Sequence, residues 1–497
     1  MLRKIRIAAA VLFFLLITLL FLDFTGTLHA WFGWMAKIQF LPALLGVTFV
    51  MNALVVLSLV VLTLLFGRVY CSVICPLGVM QDIVSWFAGR RKKHRNRFSY
   101  SPALTWLRWT MFVVFVAAML AGVGWLIAPY SAYGRIASNL FAPIYAWGNN
   151  GLAWIAERMD SYAFYSVDVW IKSLGMFLIA AVTFVVLAIL AWRSGRTWCN
   201  TVCPVGTLLG VLSRWSLFKP CFDVSKCNGC KLCARNCKAS CIDPAAHTID
   251  YSRCVACMDC LETCRRGAIT YTLRRPERAS ASQAEGPRTD ASRRRFFGVL
   301  GLFAYTALRA QEKKVDGGLA VIGEKKIPDR AEPILPPGAQ NLRHFTAHCT
   351  SCQLCVSVCP NQVLRPSGRL MLMMKPEMSY ERGYCRPECG RCAEVCPTDA
   401  IRLTDLAEKS ATQVGHAVWI ADNCVVNTDG VTCNNCARHC PTGAIRMVPR
   451  EPGDPQSPKI PAVNEERCIG CGACENLCPA RPFSAIYVEG HRRQRII

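Results

Sequence analysis

Three features of the sequence predict an α-helical membrane domain with four transmembrane helices, followed by small α+β domains that hold metal centres. Apolar residues crowd the chain before about residue 193, in a sequence that is 53% hydrophobic overall. Most of the 30 cysteines fall after that point, in a few fixed spacings. A short phrase ending in Ala-Ile then recurs behind the cysteine groups, at Arg266-Gly-Ala-Ile269, Thr398-Asp-Ala-Ile401, Thr442-Gly-Ala-Ile445 and Phe483-Ser-Ala-Ile486. With 497 residues the chain is long enough for several domains.

The first element is the membrane half, residues 1–206. Apolar runs over Ile7–Leu22, Phe40–Gly67, Leu104–Ala128 and Leu174–Trp192 meet or nearly meet the length needed to span a hydrocarbon core of roughly 30 Å. The net charge of +24 would suit a nucleic-acid partner, but no nucleic-acid motif accompanies it. Its densest cluster, Arg90–Arg97, lies between two apolar runs and reads as a membrane-flanking loop. Arg3, Lys4, Arg6 and that cluster predict cytoplasmic ends, whereas residues 23–39 and 129–173 are poorer in Lys and Arg. The expected location is the inner membrane, multi-pass. A cleaved signal peptide would need a small-residue site after the first run, and none is convincing.

The second and fourth runs end in one phrase. Gly67-Arg68-Val-Tyr-Cys71-Ser-Val-Ile-Cys75-Pro-Leu-Gly78 is matched by Gly195-Arg196-Thr-Trp-Cys199-Asn-Thr-Val-Cys203-Pro-Val-Gly206. Small cysteines packed between helices would account for buried thiols, but not for Gly, Arg, Cys and Pro repeated in register. Two functional readings stay open: a metal or cluster site closed by Cys71, Cys75, Cys199 and Cys203, or a thiol/disulfide couple. Arg68 and Arg196 are either helpers at this site or anchors of the helix ends. No side chain stands out as an acid or base for quinol chemistry. Of the eight histidines only His29 lies near a membrane helix end, and there is no C-x-x-C-H phrase, so haem is not expected.

Residues 207–275 carry C-x2-C-x2-C-x3-C twice, at Cys227/Cys230/Cys233/Cys237 and Cys254/Cys257/Cys260/Cys264. This is the spacing with which bacterial ferredoxins hold [4Fe–4S] clusters, the fourth cysteine crossing to the neighbouring cluster. Zinc ribbons use two separated pairs instead, and a disulfide framework suits a far shorter secreted chain. The crossover assigns Cys227, Cys230, Cys233 and Cys264 to one cluster, and Cys254, Cys257, Cys260 and Cys237 to the other. Lys238 and Arg265 stand where proline usually follows the fourth cysteine, and positive charge there would raise a cluster's potential. Cys241 is an alternative ligand to Cys237, and Cys221 reads as an incidental thiol. This bacterial-ferredoxin-like domain is expected in the cytoplasm.

A linker, 276–339, contains Ser292-Arg-Arg-Arg-Phe-Phe297 ahead of the apolar Gly298–Leu308. That phrase resembles a twin-arginine export signal, which would carry folded, cofactor-loaded protein across the membrane. A basic linker with a short amphipathic helix is the alternative. Residues 340–497 then hold four motifs, each ending in Cys-Pro: Cys349/Cys352/Cys355/Cys359, Cys385/Cys389/Cys392/Cys396, Cys424/Cys433/Cys436/Cys440 and Cys468/Cys471/Cys474/Cys478. Six motifs imply about six [4Fe–4S] clusters.

The order of the last four motifs resembles the four-cluster subunits of molybdenum oxidoreductases. That resemblance implies that the outer motifs pair and the inner motifs pair, with pairing in sequence order as the alternative. The membrane half and its two-cluster ferredoxin resemble the NapH family of quinol dehydrogenase components, and the twin-arginine phrase with the four-cluster domain resembles the NapG family. The C-x3-C-P repeat is shared with the NosR and CcoG families. Together these likenesses cover almost the whole chain. They imply oxidation of menaquinol or ubiquinol from the membrane pool. Electrons would then pass through the clusters to a periplasmic reductase, such as nitrate reductase, or to its carrier. Other readings are a CcoG-like metal- or thiol-reducing maturation factor, and a cytoplasmic donor-to-quinone reductase.

Overall fold

The computed structural model describes all residues except 24–25, 46–49, 92–96, 121–123, 274–323, 370–371, 404 and 455. The twin-arginine phrase and Gly298–Leu308 therefore lie outside the described residues. Among the described residues two helices, Leu2–Leu22 and Leu174–Ser194, are long and apolar enough to cross a membrane. Both are runs of Leu, Ile, Val, Ala and Phe that bury only a narrow stripe, Ala10, Ile17, Leu20 and Phe21 in the first. Apolar residues all round with little burial suit a lipid-facing helix. Thr105–Leu120 and Val50–Phe66 are apolar but shorter.

The second apolar run is not one rod. Its described residues form Phe40–Leu45 and Val50–Phe66, and the two helices pack on one another. A continuous helix over 40–67 would hold its ends roughly 40 Å apart. Instead the Phe40 N–H donates to Tyr70 Oη at 3.0 Å. The third run also ends early, giving way to a 3-10 turn at Gly124–Leu126.

The predicted connection over 129–173 holds more structure than its hydropathy suggests. Pro129–Ile136 is a helix, continued by a π-turn at Ala137–Phe141 and by Ala142–Arg158. Every residue of Pro129–Ile136 is buried. Its Tyr, Ser, Gly and Arg content hides it from an apolar-run search, while Pro129 at the first turn is a favourable helix start.

The cysteine-rich parts are built from one-turn helices and two-stranded antiparallel ribbons. Phe218–Phe222 pairs with Ile269–Leu273, closing the first module. In the second, Leu364–Pro366 pairs with Pro376–Met378, Ile445–Pro449 with Lys459–Val463, and Thr412–Trp419 with Ile486–Ile496. Ile269, Ile445 and Ile486 each open a strand, as their repeated phrase predicts. Ile401 does not, and the next N–H, of Arg402, goes instead to Gly338 O at 3.0 Å. Residues 324–339, assigned by composition to the linker, pack on the second module, where Lys325 Nζ caps the carbonyls of Glu475, Asn476 and Cys478.

The two modules sit at opposite ends of the Leu2–Leu22 helix, whose 21 residues span about 30 Å. At its start Arg3 pairs with Asp259 at 2.8 Å, and nearby Tyr271 Oη donates to Phe66 O at 2.9 Å. At its far end Phe21 packs edge-on against Tyr133, 6.2 Å between ring centres. Close to that contact, Ser131 Oγ donates to Thr350 O at 2.6 Å and Asn139 Nδ2 to Gln353 Oε1 at 2.8 Å.

Candidate functional site

In the second module each triplet is completed by a cysteine from its sequence neighbour. Cys355 is crowded by Cys352, Cys349 and Cys396, and Cys392 by Cys385, Cys359 and Cys389. Cys436 has Cys433, Cys478 and Cys424 around it, while Cys440, Cys468, Cys471 and Cys474 line one cavity. Pairing is therefore in sequence order, not outer with outer and inner with inner. The reason is local: a β-ribbon between the first and second motifs, and another between the third and fourth, folds each second triplet back on its predecessor. Contacts between sets then fix their order. Cys355 faces Cys392, the Cys385 N–H donates to Cys471 O at 2.9 Å, and Cys474 faces Cys436. The line begins beside the helical bundle with the Cys349 set and ends with the Cys424 set.

Burial pushes Cys436 and Cys352 up to about 11 and Cys471 to about 12. Free thiols there are protonated, and iron must displace those protons to bind. Among the described residues, no three His, Cys, Asp or Glu converge on a single ion. Cysteines spread around an apolar cavity fit a larger unit, a cubane of four irons, and that is the group these residues suit.

In the first module one cavity is lined by Cys237, Cys254, Cys257 and Cys260, the crossover set, and also by Cys241. Cys241 Sγ lies 3.5 Å from Cys237 Sγ, so both candidate ligands reach the same place. Cys221 sits on the Phe218–Phe222 strand and does not line that cavity. Cys227, Cys230 and Cys233 lie together nearer the surface, with Cys230 exposed. Cys264, the crossover partner predicted for them, accepts the Ala268 N–H at 3.2 Å. Lys238 is buried and shared by Asp82 at 3.2 Å and Asp259 at 3.0 Å, which offsets the charge expected to act on the cluster.

Between the modules the repeat closes on itself. Cys203 has Cys199, Cys75 and Cys71 about it, and all four are buried. Arg68 Nη2 donates to Cys199 O at 3.1 Å, and Arg196 Nη1 to Cys71 O at 2.8 Å, each arginine crossing to the other repeat. Gly78 and Gly206 allow the approach, since a Cβ on them would lie 2.3 Å from Cys71 O and 2.1 Å from Cys199 O. Both arginines are 0% exposed. Arg196 has Asp82 at 2.8 Å. Arg68 meets no carboxylate among the described residues, only Asn200 Oδ1, the Ser252 and Cys199 carbonyls and Cys71 Sγ. Arg108, 5% exposed, also donates only to Ser252 and to the Gly206 and Thr207 carbonyls. A buried unpaired cation is costly. Four thiolates on a cluster would supply the missing negative charge.

One continuous apolar core contains Val255 of the first module, Cys71, Cys75 and Cys203 of the repeat, Tyr130 and Tyr133, and Cys349, Cys352, Cys355 and Cys396. Sequence reasoning missed the parts that join these centres. They are Pro129–Ile136, with buried Arg135 bearing on Cys352, and Asp82, which gathers Arg6, Arg196 and Lys238. The signal available for Asp82 was its carboxylate seven residues beyond the Cys75-Pro step, amid basic neighbours on both repeats.

Crossed cysteine sets on small β-ribbons define the class: an iron–sulfur electron-transfer protein, a polyferredoxin. Residues 48–95 and 174–220, which hold the two repeat phrases, match a family described as a 4Fe-4S binding domain. Residues 348–400 and 431–481 match one described as a 4Fe-4S dicluster domain, in keeping with pairing in sequence order. Ferredoxin-type protein NapF of Escherichia coli (strain K12) is 31% identical over 161 residues, 32% of this chain and 87% of NapF. Methylamine utilization ferredoxin-type protein MauM of Methylophilus methylotrophus is 33% identical over 178 residues, 32% of this chain and 72% of MauM. Ferredoxin-type protein NapG of Haemophilus influenzae is 27% identical over 181 residues, 33% of this chain and 63% of NapG. The chain belongs to this family of ferredoxin-type 4Fe–4S proteins. No solved structure matches.

Proposed function

We propose that this protein passes electrons from the quinol pool of the cytoplasmic membrane to an extracytoplasmic reductase or its carrier, as a NapH-like unit fused to a NapG-like one. On this reading Leu2–Leu22, Val50–Phe66, Thr105–Leu120 and Leu174–Ser194 lie in the bilayer. The Arg3 end and residues 207–273 face the cytoplasm, and the Cys349–Cys478 module faces outward after twin-arginine export. The observation that supports the reading is the quartet of Cys71, Cys75, Cys199 and Cys203, of which Cys71, Cys75 and Cys203 share one apolar core with Val255 of the first module and with Cys349, Cys352, Cys355 and Cys396 of the second. Bound clusters supply reversible one-electron transfer. The chain's part is to space the sets, keep water from them and offset their charge with Arg68, Arg108, Arg135 and Arg196. The Cys424, Cys433, Cys436 and Cys478 set, at the end of the line, would serve the acceptor.

The test is cluster reduction in washed membranes on adding menaquinol, combined with a reporter fused after Ile497. Bleaching of the cluster absorbance and an extracytoplasmic reporter support the reading. Clusters that stay oxidised with quinol yet bleach with dithionite, or a cytoplasmic reporter, overturn it. Exposed Cys230 favours a second donor, because a soluble cytoplasmic reductant would reach the Cys227 set directly. A maturation-factor role would instead show as copper(II) reduction by the loaded protein without quinol oxidation.

A further inference from the structure

Quinol oxidation needs a place where two protons leave as two electrons depart. We infer that Asp23 and His29 form that place, at the Leu22 end of the bundle beside the helix that carries Cys392. The inference rests on the quinol-oxidising reading above.

Asp23 caps the Leu2–Leu22 helix, and backbone N–H groups fix its carboxylate. Gly26 N donates to Oδ1 and Leu28 N to Oδ2, both at 2.8 Å. His29 Nδ1 stands 3.3 Å from Asp23 Oδ2. With the carboxylate accepting, Nδ1 carries the ring proton and Nε2 is left as an acceptor. The two side chains are 6% and 3% exposed, and His29 Nε2 is buried with no partner among the described residues. An unmet buried acceptor is destabilising, and a hydroquinone O–H is a donor that would meet it. Trp31 and Trp34, 77% and 55% exposed, follow within two turns. Exposed tryptophans at a helix end mark the lipid interface, from which an amphipathic quinol approaches.

The helix that carries Cys392 reaches this loop through a side chain. A Cβ on Gly26 would lie 3.0 Å from Cζ of Arg391, whose guanidinium extends from Arg391–Glu394, the helix that contains Cys392. The charged groups bearing on His29 are Asp23, Arg391 and Glu394. Burial lowers the His29 pKa by more than Asp23 raises it, which keeps the ring neutral and able to accept a proton.

The step balances as hydroquinone giving quinone, two protons and two electrons. His29 Nε2 takes the proton of one hydroxyl as its O–H bond breaks, and Asp23 steadies the imidazolium. An oxidised [4Fe–4S] cluster held by the Cys349 or Cys385 set would take the electron and be reduced by one. His29 hands the proton to water at the helix end and then takes the second, while the second electron follows the same route. Both protons leave on the outer side.

A plain capping network for Thr27–Phe32 would explain the same hydrogen bonds, and the test must move a quantity that capping does not. Membranes bearing the full chain are mixed with menadiol, and cluster reduction is followed from acid to neutral pH. In wild type the rate rises with pH as His29 loses its proton. His29→Ala should slow it about 100-fold, the lower end of general-base effects, and abolish that rise, with clusters still reduced by dithionite. His29→Gln should do the same if His29→Ala fails to assemble. An azido-substituted alkyl benzoquinone should label residues 27–37 in wild type and spare them in His29→Ala. Wild-type kinetics with the pH limb intact in either variant, or labelling elsewhere, overturns the site while the quinol reading stands. Wild-type clusters that menadiol never reduces overturn both.

Discussion

Arg68 donates to the carbonyl of Cys199 at 3.1 Å, while its own repeat supplies only the sulfur of Cys71, at 3.8 Å. Arg196 returns the arrangement, reaching Cys71 O at 2.8 Å and Cys199 Sγ at 3.8 Å. Each arginine is therefore a staple across the repeat, and the four cysteines close only when both repeats are folded. If they hold a cluster, Cys71→Ser with Cys203→Ser should lower bound iron by about one cluster's worth and leave the Cys349–Cys478 signals unchanged. Iron content unchanged in the double variant would leave the quartet as packing thiols.

The same staple makes two glycines intolerant. Gly78→Ala puts a methyl 2.3 Å from Cys71 O and 2.6 Å from Arg196 Nη1, and Gly206→Ala puts one 2.1 Å from Cys199 O and 2.8 Å from Arg68 Nη2. Overpacking of this kind costs about 1–3 kcal/mol. Gly148→Ala meets nothing within 4 Å in its helix, where alanine stabilises by about 0.5–1 kcal/mol. Melting temperatures of the three variants in detergent should fall, fall and rise.

The sequence makes the cysteine sets legible because their chemistry is local: a triplet, a trailing cysteine, a proline. The repeat phrase is legible for the same reason, down to the arginines. What joins these pieces is not local. Phe40 reaching Tyr70, Ser131 reaching Thr350 and Arg3 reaching Asp259 are contacts between residues far apart in the chain, and no period announces them. Pro129–Ile136 shows the limit of hydropathy. The helix is buried by protein rather than lipid, so it carries Tyr133, Ser131 and Arg135, which bond to Thr18, to the Thr350 carbonyl and to the Trp125 and Leu126 carbonyls. His29 was visible only as a lone histidine, because its meaning depends on Asp23 and on a loop that leans against Arg391.

Acid should loosen the seam between the first module and the bundle. Burial works to raise the Asp82 carboxyl, but Arg196, Lys238 and Arg6 together hold it well below the usual carboxylate range. Burial and the charges of Lys238 and Arg3 act on Asp259 in the same way, with a lowered result. A depressed carboxylate contributes stability that is present above its unfolded pKa, about 3.9, and lost as pH falls through the folded value. The seam should thus hold at pH 5 and weaken below pH 4. Asp82→Asn leaves buried cations facing an amide, a loss of about 3–5 kcal/mol. It should lower the melting temperature at pH 7 and flatten its fall below pH 4. An unaltered acid limb in Asp82→Asn would show that the seam is held elsewhere.

The serial order of the outer sets makes the last prediction directional. The Cys349 set lies against the bundle, the Cys385 and Cys468 sets meet through Cys385 N–H and Cys471 O at 2.9 Å, and the Cys424 set is last. Cys433 and Cys436 are only partly buried, so their loss disturbs little packing upstream. In Cys433→Ala with Cys436→Ala, quinol should still reduce the remaining clusters at the wild-type rate, while transfer to an external acceptor falls at least tenfold. Cys352→Ala with Cys355→Ala removes the set nearest the bundle and predicts a different pattern. Reduction by dithionite from outside persists, and electrons delivered through the cytoplasmic Cys227 set no longer reach the acceptor. If the two double variants behave alike, the sets do not act in series, and the order read from Cys355, Cys392, Cys385, Cys471, Cys474 and Cys436 fails with them.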